Sequence, residues 1–460
     1  MSSPFVENSL RYTYNHMNDG DDILEAAAAA LASNDNGSYT MPSPPLYPHQ
    51  WLWDSCFVAI GLRHLDTTRA KLELTSLLRG QWANGMLPNL IFKHGAKYRT
   101  DRNAWQSSLN PYSPDDVATS GITQPPMFSE AIVLVGKKLP LPERREWYKT
   151  MWQPLLSYHT WLYQDRDPHQ EGLLLQIHPW EVGLDSTPPW TAELHEHQLP
   201  GWIRVIQSLH AEWLINLFRR DTRTVPSKER FLAIEALALF SIQRRLKRKA
   251  YVTNRVLNHS LFTIEDLTFN SIFIRANDHL LAIAKTIRKT VPEDLLENIE
   301  RSRKAFESLW DPYTSSYYSR DFITHKLLKV PSIAGLMPLY SGAISKERAA
   351  TLVKMLESDI EFGPAYPVPS VPISSKDFDA NRYWQGPTWL NTNWLIIDGL
   401  RRYGYNDHAD ALTESSLELV QKGGFAEYFN PLTGEPLGAD NFSWTAALTV
   451  DLLYQKPGDK

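Results

Sequence analysis

One cysteine, Cys56, is all that 460 residues offer, which excludes an internal disulfide and any multi-cysteine metal site. Apolar runs long enough to cross a membrane are missing too, since a spanning helix needs about 20 consecutive apolar residues. The opening residues, Met1-Ser2-Ser3-Pro4-Phe5-Val6-Glu7-Asn8, lack a basic start followed by an apolar stretch, so no secretion signal is expected. Lys and Arg total 47 against 52 Asp and Glu, a formal charge of −5 with no strongly basic block. Neither nucleic acid nor an anionic membrane is therefore an expected partner. Strand signals are few, and neither a close internal repeat nor a convincing domain boundary breaks the chain. The expectation is a soluble cytoplasmic protein forming a single domain over 1–460. A homo-oligomer is compatible with the chain, whose assembly the sequence leaves open.

What the chain has in plenty is aromatic side chains: 16 Trp, 20 Tyr and 17 Phe. A large core accounts for many of them. It accounts less well for Trp51, Trp53, Trp82, Trp180, Trp384, Trp389 and Trp444, which recur beside Gly, Pro, Asn and Asp in turn-like stretches, although a buried indole N–H wants a partner. Helical signals dominate elsewhere. Ile23 to Ala32 is alanine-rich, and Thr67 to Trp82 places Ala70, Leu74, Leu77 and Leu78 on one face. Glu143 to Tyr163 spaces Trp147, Trp152, Leu155, Leu156 and Trp161 as a core face. Ser227 to Lys249 ends in Arg244, Arg245, Lys247, Arg248 and Lys249, cations favoured at a helix C-terminus. Further helices are expected at 265–289, 293–309, 345–357, 388–403, 407–421 and 443–455, with a hairpin over Tyr313 to Phe322 and a short strand at Leu327-Leu328-Lys329-Val330. Long polar connections at 84–122, 179–201, 219–227 and 360–388 are of the kind that is usually functional. About a dozen helices with loops gathered at one end suggest an all-α fold, a toroid of six inner and six outer helices. Helix count alone does not separate it from an α-solenoid.

Two loop segments more than half the chain apart set a carboxylate among aromatics and glycine: His178-Pro179-Trp180-Glu181-Val182-Gly183-Leu184-Asp185 and Gly424-Phe425-Ala426-Glu427-Tyr428-Phe429. Cleaving a glycosidic bond needs an acid on the leaving oxygen and a carboxylate acting on the opposite face of the ring. Flat aromatic walls suit the C–H faces of a sugar, and glycine lets backbone approach it. Plainer readings stand beside this one. Asp185 equally suits a cap before Pro188, and Glu427 a surface turn. Asp54 is the rival carboxylate, though its entry into an apolar helix suits a charge at a helix N-terminus. Glu181 reads as a residue bonding loop backbone, His49 and His178 as hydrogen-bonded fold residues rather than a metal pair, and Cys56 as buried filler.

Further motifs accompany the two carboxylate segments. They are Leu46-Tyr47-Pro48-His49-Gln50-Trp51-Leu52-Trp53-Asp54, then Gly80-Gln81-Trp82-Ala83-Asn84-Gly85-Met86-Leu87-Pro88-Asn89 and Ser120-Gly121-Ile122-Thr123-Gln124-Pro125-Pro126. Asn381-Arg382-Tyr383-Trp384-Gln385-Gly386-Pro387-Thr388-Trp389 and Phe442-Ser443-Trp444-Thr445-Ala446-Ala447 complete the set. In this order they resemble glycoside hydrolase family 63, most of all its mannosylglycerate and glucosylglycerate hydrolases, over about Leu46 to Trp444. The resemblance implies an (α/α)6 barrel with long loops covering one end, an inverting mechanism, and no cofactor or metal in the chemistry. It implies Asp185 as general acid, in apolar surroundings supplied by Trp180 and Trp190, and Glu427 as the base activating water. Trp53, Trp180 and Trp389 would wall the sugar site beside Gly183; Tyr47, Asp54 and Gln124 would bind sugar hydroxyls; Trp51 and Trp384 would shape the mouth. In such relatives loops bring Tyr and Arg to the glycerate carboxylate. Tyr98 matches the tyrosine, and Arg219 or Arg220 falls near the arginine, whose planar fork suits a carboxylate.

The chain departs from the family pattern at Val182, Ser186 and Thr187 in the acid segment, and at Gln385, where the pattern has arginine. Phe231 falls where a tyrosine would help hold glycerate. These departures touch neither carboxylate but leave the leaving-group preference open. The expected substrate is a small glycoside, glucosylglycerate or mannosylglycerate. A short neutral oligosaccharide is the enzymic alternative, and a catalytically silent sugar-binding barrel or helical scaffold the non-enzymic one.

Overall fold

Leu52–Leu62 is apolar or small at almost every position, and all its residues are buried. A helix that is apolar all round must be covered on all sides, and Ser443–Leu453 is of the same kind. These two pack against each other so closely that a Cβ on Gly61 would lie 2.2 Å from the carbonyl oxygen of Ala447, a contact only glycine permits.

The computed structural model describes residues 20–191, 200–210, 215, 219–257 and 262–455. The N-terminal stretch read for a secretion signal, and part of the 179–201 loop, lie outside the described residues. The barrel helices are α1 (Gly20–Asn34), α2 (Leu52–Leu62), α3 (Thr67–Leu77), α4 (Phe128–Lys137), α5 (Leu141–Arg166), α6 (Leu267–Ile287), α7 (Glu293–Ala305), α8 (Pro338–Ser341), α9 (Lys346–Leu356), α10 (Leu390–Arg402), α11 (Asn406–Gly423) and α12 (Ser443–Leu453). The even-numbered helices form a ring, each packing on the next, and α12 closes it against α2. The odd-numbered helices lie outside: α1 on α12, α3 on α2 and α4, α5 on α4 and α6, α7 on α6, α9 on α8, and α11 on α10 and α12. The fold is an (α/α)6 barrel, and ring closure is what separates it from a solenoid.

Connections from an inner to an outer helix are short, as at 63–66, 138–140 and 403–405, whereas those from outer to inner are long: 35–51, 78–127, 167–266, 306–337, 357–389 and 424–442. All the long segments therefore reach the same rim, the N-terminal ends of the inner helices. Two-stranded antiparallel ribbons stiffen it. Gln50–Trp51 pairs with Leu90–Ile91, and Tyr428–Phe429 with Pro436–Leu437.

Several local expectations need correction. The 227–249 helix begins only at Ala233; Ser227–Glu229 is a 3-10 turn and Arg230 is extended. The hairpin consists of Trp310–Asp311 with Ser316–Tyr317, because Arg320–Asp321 pairs instead with Ile264–Glu265. Leu327 makes an isolated bridge to Arg320 rather than starting a strand. The 84–122 loop holds a helix at Arg99–Trp105, and α4 and the Gly201–Ser208 helix add to the expected set. No helix among the described residues is long and apolar enough to cross a membrane.

Candidate active site

Asp185 follows a one-turn helix, Pro179–Val182, capped by His178, whose Nδ1 accepts the Trp180 N–H at 3.1 Å. The turn ends at Gly183 with φ +81°, where a Cβ would meet the Trp53 ring at 2.6 Å. Both the left-handed backbone and the ring contact call for glycine. Glu181 pins the turn from below: it accepts the N–H groups of Thr123 and Ile177 and a 2.6 Å bond from Arg166. Trp190, fully buried, donates from its indole to the Leu184 carbonyl at 2.7 Å. The Asp185 loop is thus fixed by contacts that leave the Asp185 carboxyl itself free of them.

Asp185 is half-buried by area, with its carboxyl set deep among protein groups. Burial pushes its pKa from 3.8 to about 7, against the pull of the Arg230 charge and a 3.2 Å hydrogen bond donated by Tyr383, and with a further push from the Glu427 charge. A carboxyl so placed keeps its proton near neutrality, as a general acid must.

Glu427 stands at the head of the Tyr428–Phe429 ribbon. Its Oε1 accepts from Tyr47 at 2.9 Å and its Oε2 from the Ala439 N–H at 2.9 Å. Arg230 donates to both oxygens at 3.3 and 3.4 Å and to the Tyr47 hydroxyl at 2.8 Å. Every one of these contacts is a donor, the pattern an ionised carboxylate accepts. The Arg230 guanidinium also lies 4.1 Å from the Tyr383 ring centre, so one buried cation touches the partners of both carboxylates. Asp54, in the first turn of α2, has its pKa raised well above 3.8 by burial and by the charges of Glu427 and Asp185. The Gln124 side-chain oxygen accepts the Trp53 N–H at 3.3 Å.

The domain profile described as "Mannosylglycerate hydrolase MGH1-like glycoside hydrolase domain" matches residues 47–445. The chain belongs to that family. It is 35% identical to the mannosylglycerate hydrolase of Thermus thermophilus over 92% of this chain and 99% of that one. It is 32% identical to the glucosylglycerate hydrolase of Mycolicibacterium hassiacum over 94% and 97%. The solved family 63 mannosylglycerate hydrolase of Thermus thermophilus, holding Tris and D-glycerate, superposes with a TM-score of 0.83 at 34% identity, covering 94% of this chain and all of that one. The protein is a glycoside hydrolase of family 63.

For this glycoside hydrolase the structure brings Tyr47, Asp54, Asp185 and Glu427 into one cluster, with Trp51 edge-on to Tyr47 at 6.0 Å. Trp53 lies under Gly183, and Trp180 packs on His178 and Trp105 beside the acid loop. Trp384 and Trp389 are placed differently from expectation. They stack face to face at 3.8 Å, neither exposing surface to speak of, and the Trp389 indole donates to the Tyr383 carbonyl at 3.2 Å. A ring covered on both faces offers no wall, so this pair backs Tyr383. Tyr98 stands apart, edge-on to His49 at 5.1 Å. Arg220 is half exposed and donates to Asp101 at 2.9 Å, which also meets His49. Arg219 is turned onto Asp221 and the Phe231 carbonyl.

Two residues of the site have no counterpart among the sequence expectations, Arg230 and Tyr383. Arg230 sits in the run Lys228-Glu229-Arg230, which looks like solvated surface, yet Glu229 and Arg230 are buried. Tyr383 lies inside a recognised motif, directly before Trp384, and that place is the available signal.

Proposed function

We propose that this enzyme hydrolyses mannosylglycerate or glucosylglycerate with inversion, releasing the sugar and glycerate. Asp185 would give its proton to the glycosidic oxygen as the bond to the sugar breaks. Glu427 would take a proton from a water molecule attacking the other face of the ring. Inversion requires the two carboxyls roughly 6.5–9.5 Å apart, leaving room for that water. The observation that carries the reading is the contrast between them: one carboxyl is held protonated up to about pH 7, the other is surrounded by donors. Asp54 and Gln124 would hold the sugar, with Tyr47 orienting Glu427. Arg230, rather than Arg220, would be the cation that meets a charged leaving group, a reading supported by its lying against the tyrosine that bonds Asp185. Sequence relatives acting on these two glycosides, over nearly their whole length, support the substrate class. Inner-ring closure between α2 and α12 supports one catalytic domain for the described chain.

A neutral disaccharide is the second reading, favoured by Phe231 and Gln385, which differ from the family pattern on the leaving-group side. Incubation with glucosylglycerate, mannosylglycerate, kojibiose and maltose, followed by proton NMR, decides between them. Early appearance of the β-anomer from a glycerate compound is the expected outcome. Release from the disaccharides alone would move the substrate to neutral sugars. An α-anomer appearing first would overturn inversion.

A further inference from the structure

Gln385, where the family pattern has arginine, is nearly buried and stands at the meeting of three site segments. Its side-chain nitrogen donates to the Ser186 carbonyl at 3.0 Å and to Glu235 Oε1 at 3.1 Å. The other oxygen of Glu235 accepts the Leu232 N–H at 2.8 Å. Ser186 follows Asp185 directly, and Leu232 lies two residues after Arg230. An unbroken chain of hydrogen bonds thus runs from the acid loop through Gln385 and Glu235 to the turn that carries Arg230. The same turn is tied to the Gln385 loop a second time, since the Tyr383 N–H donates to the Glu229 carbonyl at 3.2 Å. All three clamp residues, Ser186, Glu235 and Gln385, are less than one-tenth exposed, so water does not compete for these bonds.

We propose that Gln385 is a positioning residue, the clamp that holds the Asp185 loop against the Arg230 turn and so fixes the enclosure of the acid. The proposal rests on Asp185 being the acid. An amide carries two N–H donors and no charge, so it satisfies Ser186 and Glu235 together without placing a cation beside Asp185. Burial holds Glu235 up to about 7, against bonds from Leu232 and Gln385 and the charges of Arg382 and Arg219. It accordingly tolerates a neutral partner. The groups that face Asp185 itself are Arg230 from the turn, Tyr383 from the Gln385 loop, Glu427 from the ribbon and Asp54 from α2. Release of the clamp would let water reach Asp185 and weaken its hold on the proton.

The test is the pH profile of Gln385→Leu, Gln385→Arg and Glu235→Gln on whichever of the four glycosides is cleaved, beside wild type and Asp185→Asn. Gln385→Leu, without donors, is expected to lower kcat by about 10-fold or more, leave KM within about 3-fold, and move the alkaline limb of kcat/KM to lower pH. Gln385→Arg, which keeps donors for both partners but sets a cation beside Asp185, restores most of kcat while its alkaline limb stays below that of wild type. Glu235→Gln reproduces the loss while preserving the Leu232 contact, and stands in for Gln385→Leu should that chain fail to fold. An unmoved limb and unchanged kcat in Gln385→Leu and Glu235→Gln, with Asp185→Asn inactive, would overturn the clamp alone. Activity surviving in Asp185→Asn would instead overturn the assignment of the acid.

Discussion

Arginines 219, 220 and 230 lie within a dozen residues of one another, and Arg219 and Arg230 share Asp221 and the Phe231 ring while Arg220 turns outward. Arg220, itself exposed, reaches a half-buried aspartate, a pair of the kind that contributes little. Arg230 is buried between Glu427, Tyr47 and the Tyr383 ring, where losing the charge leaves donors and acceptors stranded. Arg230→Met should therefore raise KM for a glycerate glycoside by about 30-fold or more, the loss of a buried charged contact being about 2–5 kcal/mol. Arg220→Met should change it less than about 3-fold. Steady-state kinetics of the two variants checks this, and equal effects would return the glycerate contact to the outer arginine. Sequence could not rank the three, because what each side chain meets in the fold, rather than residue type, distinguishes them. Asp185 and Glu427, by contrast, were legible from their aromatic and glycine neighbours and the order of motifs.

Inner and outer helices follow different sequence rules, and this decides which elements can be read in advance. Outer helices such as α3 and α7 are amphipathic, so their apolar spacing marks them. Phe128–Lys137 is buried on almost every side, and its short apolar run Ala131 to Val135 does not by itself tell a buried helix from a buried strand. The rim ribbons are only two residues per strand, too short for alternation to register. The late start at Ala233 is hidden because Ser227 to Arg230 are good helix formers drawn out of the helix by the contacts of Arg230. Inner packing also predicts its weakest point. Gly61→Ala would push a methyl into the backbone of Ala447, forcing α2 and α12 apart where the ring closes. A loss of about 1–3 kcal/mol is expected, read from the denaturation midpoint. A neutral result would mean the two helices are free to separate, and ring closure is less tight than the contact implies.

At the scale of the whole molecule, the barrel confines its charged chemistry to one rim, and that confinement opposes folding. The folded chain holds the Asp185 proton up to about 7, whereas an unfolded aspartate releases it near 3.8. Between those values the folded state binds a proton that the unfolded state does not, so this contribution to stability is full below about pH 4 and is lost as pH rises through about 7. Asp54, raised by the same burial and by its neighbours' charges, acts in the same direction. Asp185→Asn has no proton to lose. It should abolish activity and yet be more stable than wild type at pH 8, by on the order of a few kcal/mol, since a tenfold change in proton affinity between the two states corresponds to about 1.36 kcal/mol. The advantage should shrink steadily as pH falls toward 5, where wild-type Asp185 is neutral as well. Melting temperatures of the two proteins across that range measure it directly. A constant difference at every pH would trace the gain to packing, and no gain at pH 8 would mean that water already reaches the carboxyl. A narrowing difference would show that the same enclosure which keeps the acid protonated for catalysis is a cost carried by the fold.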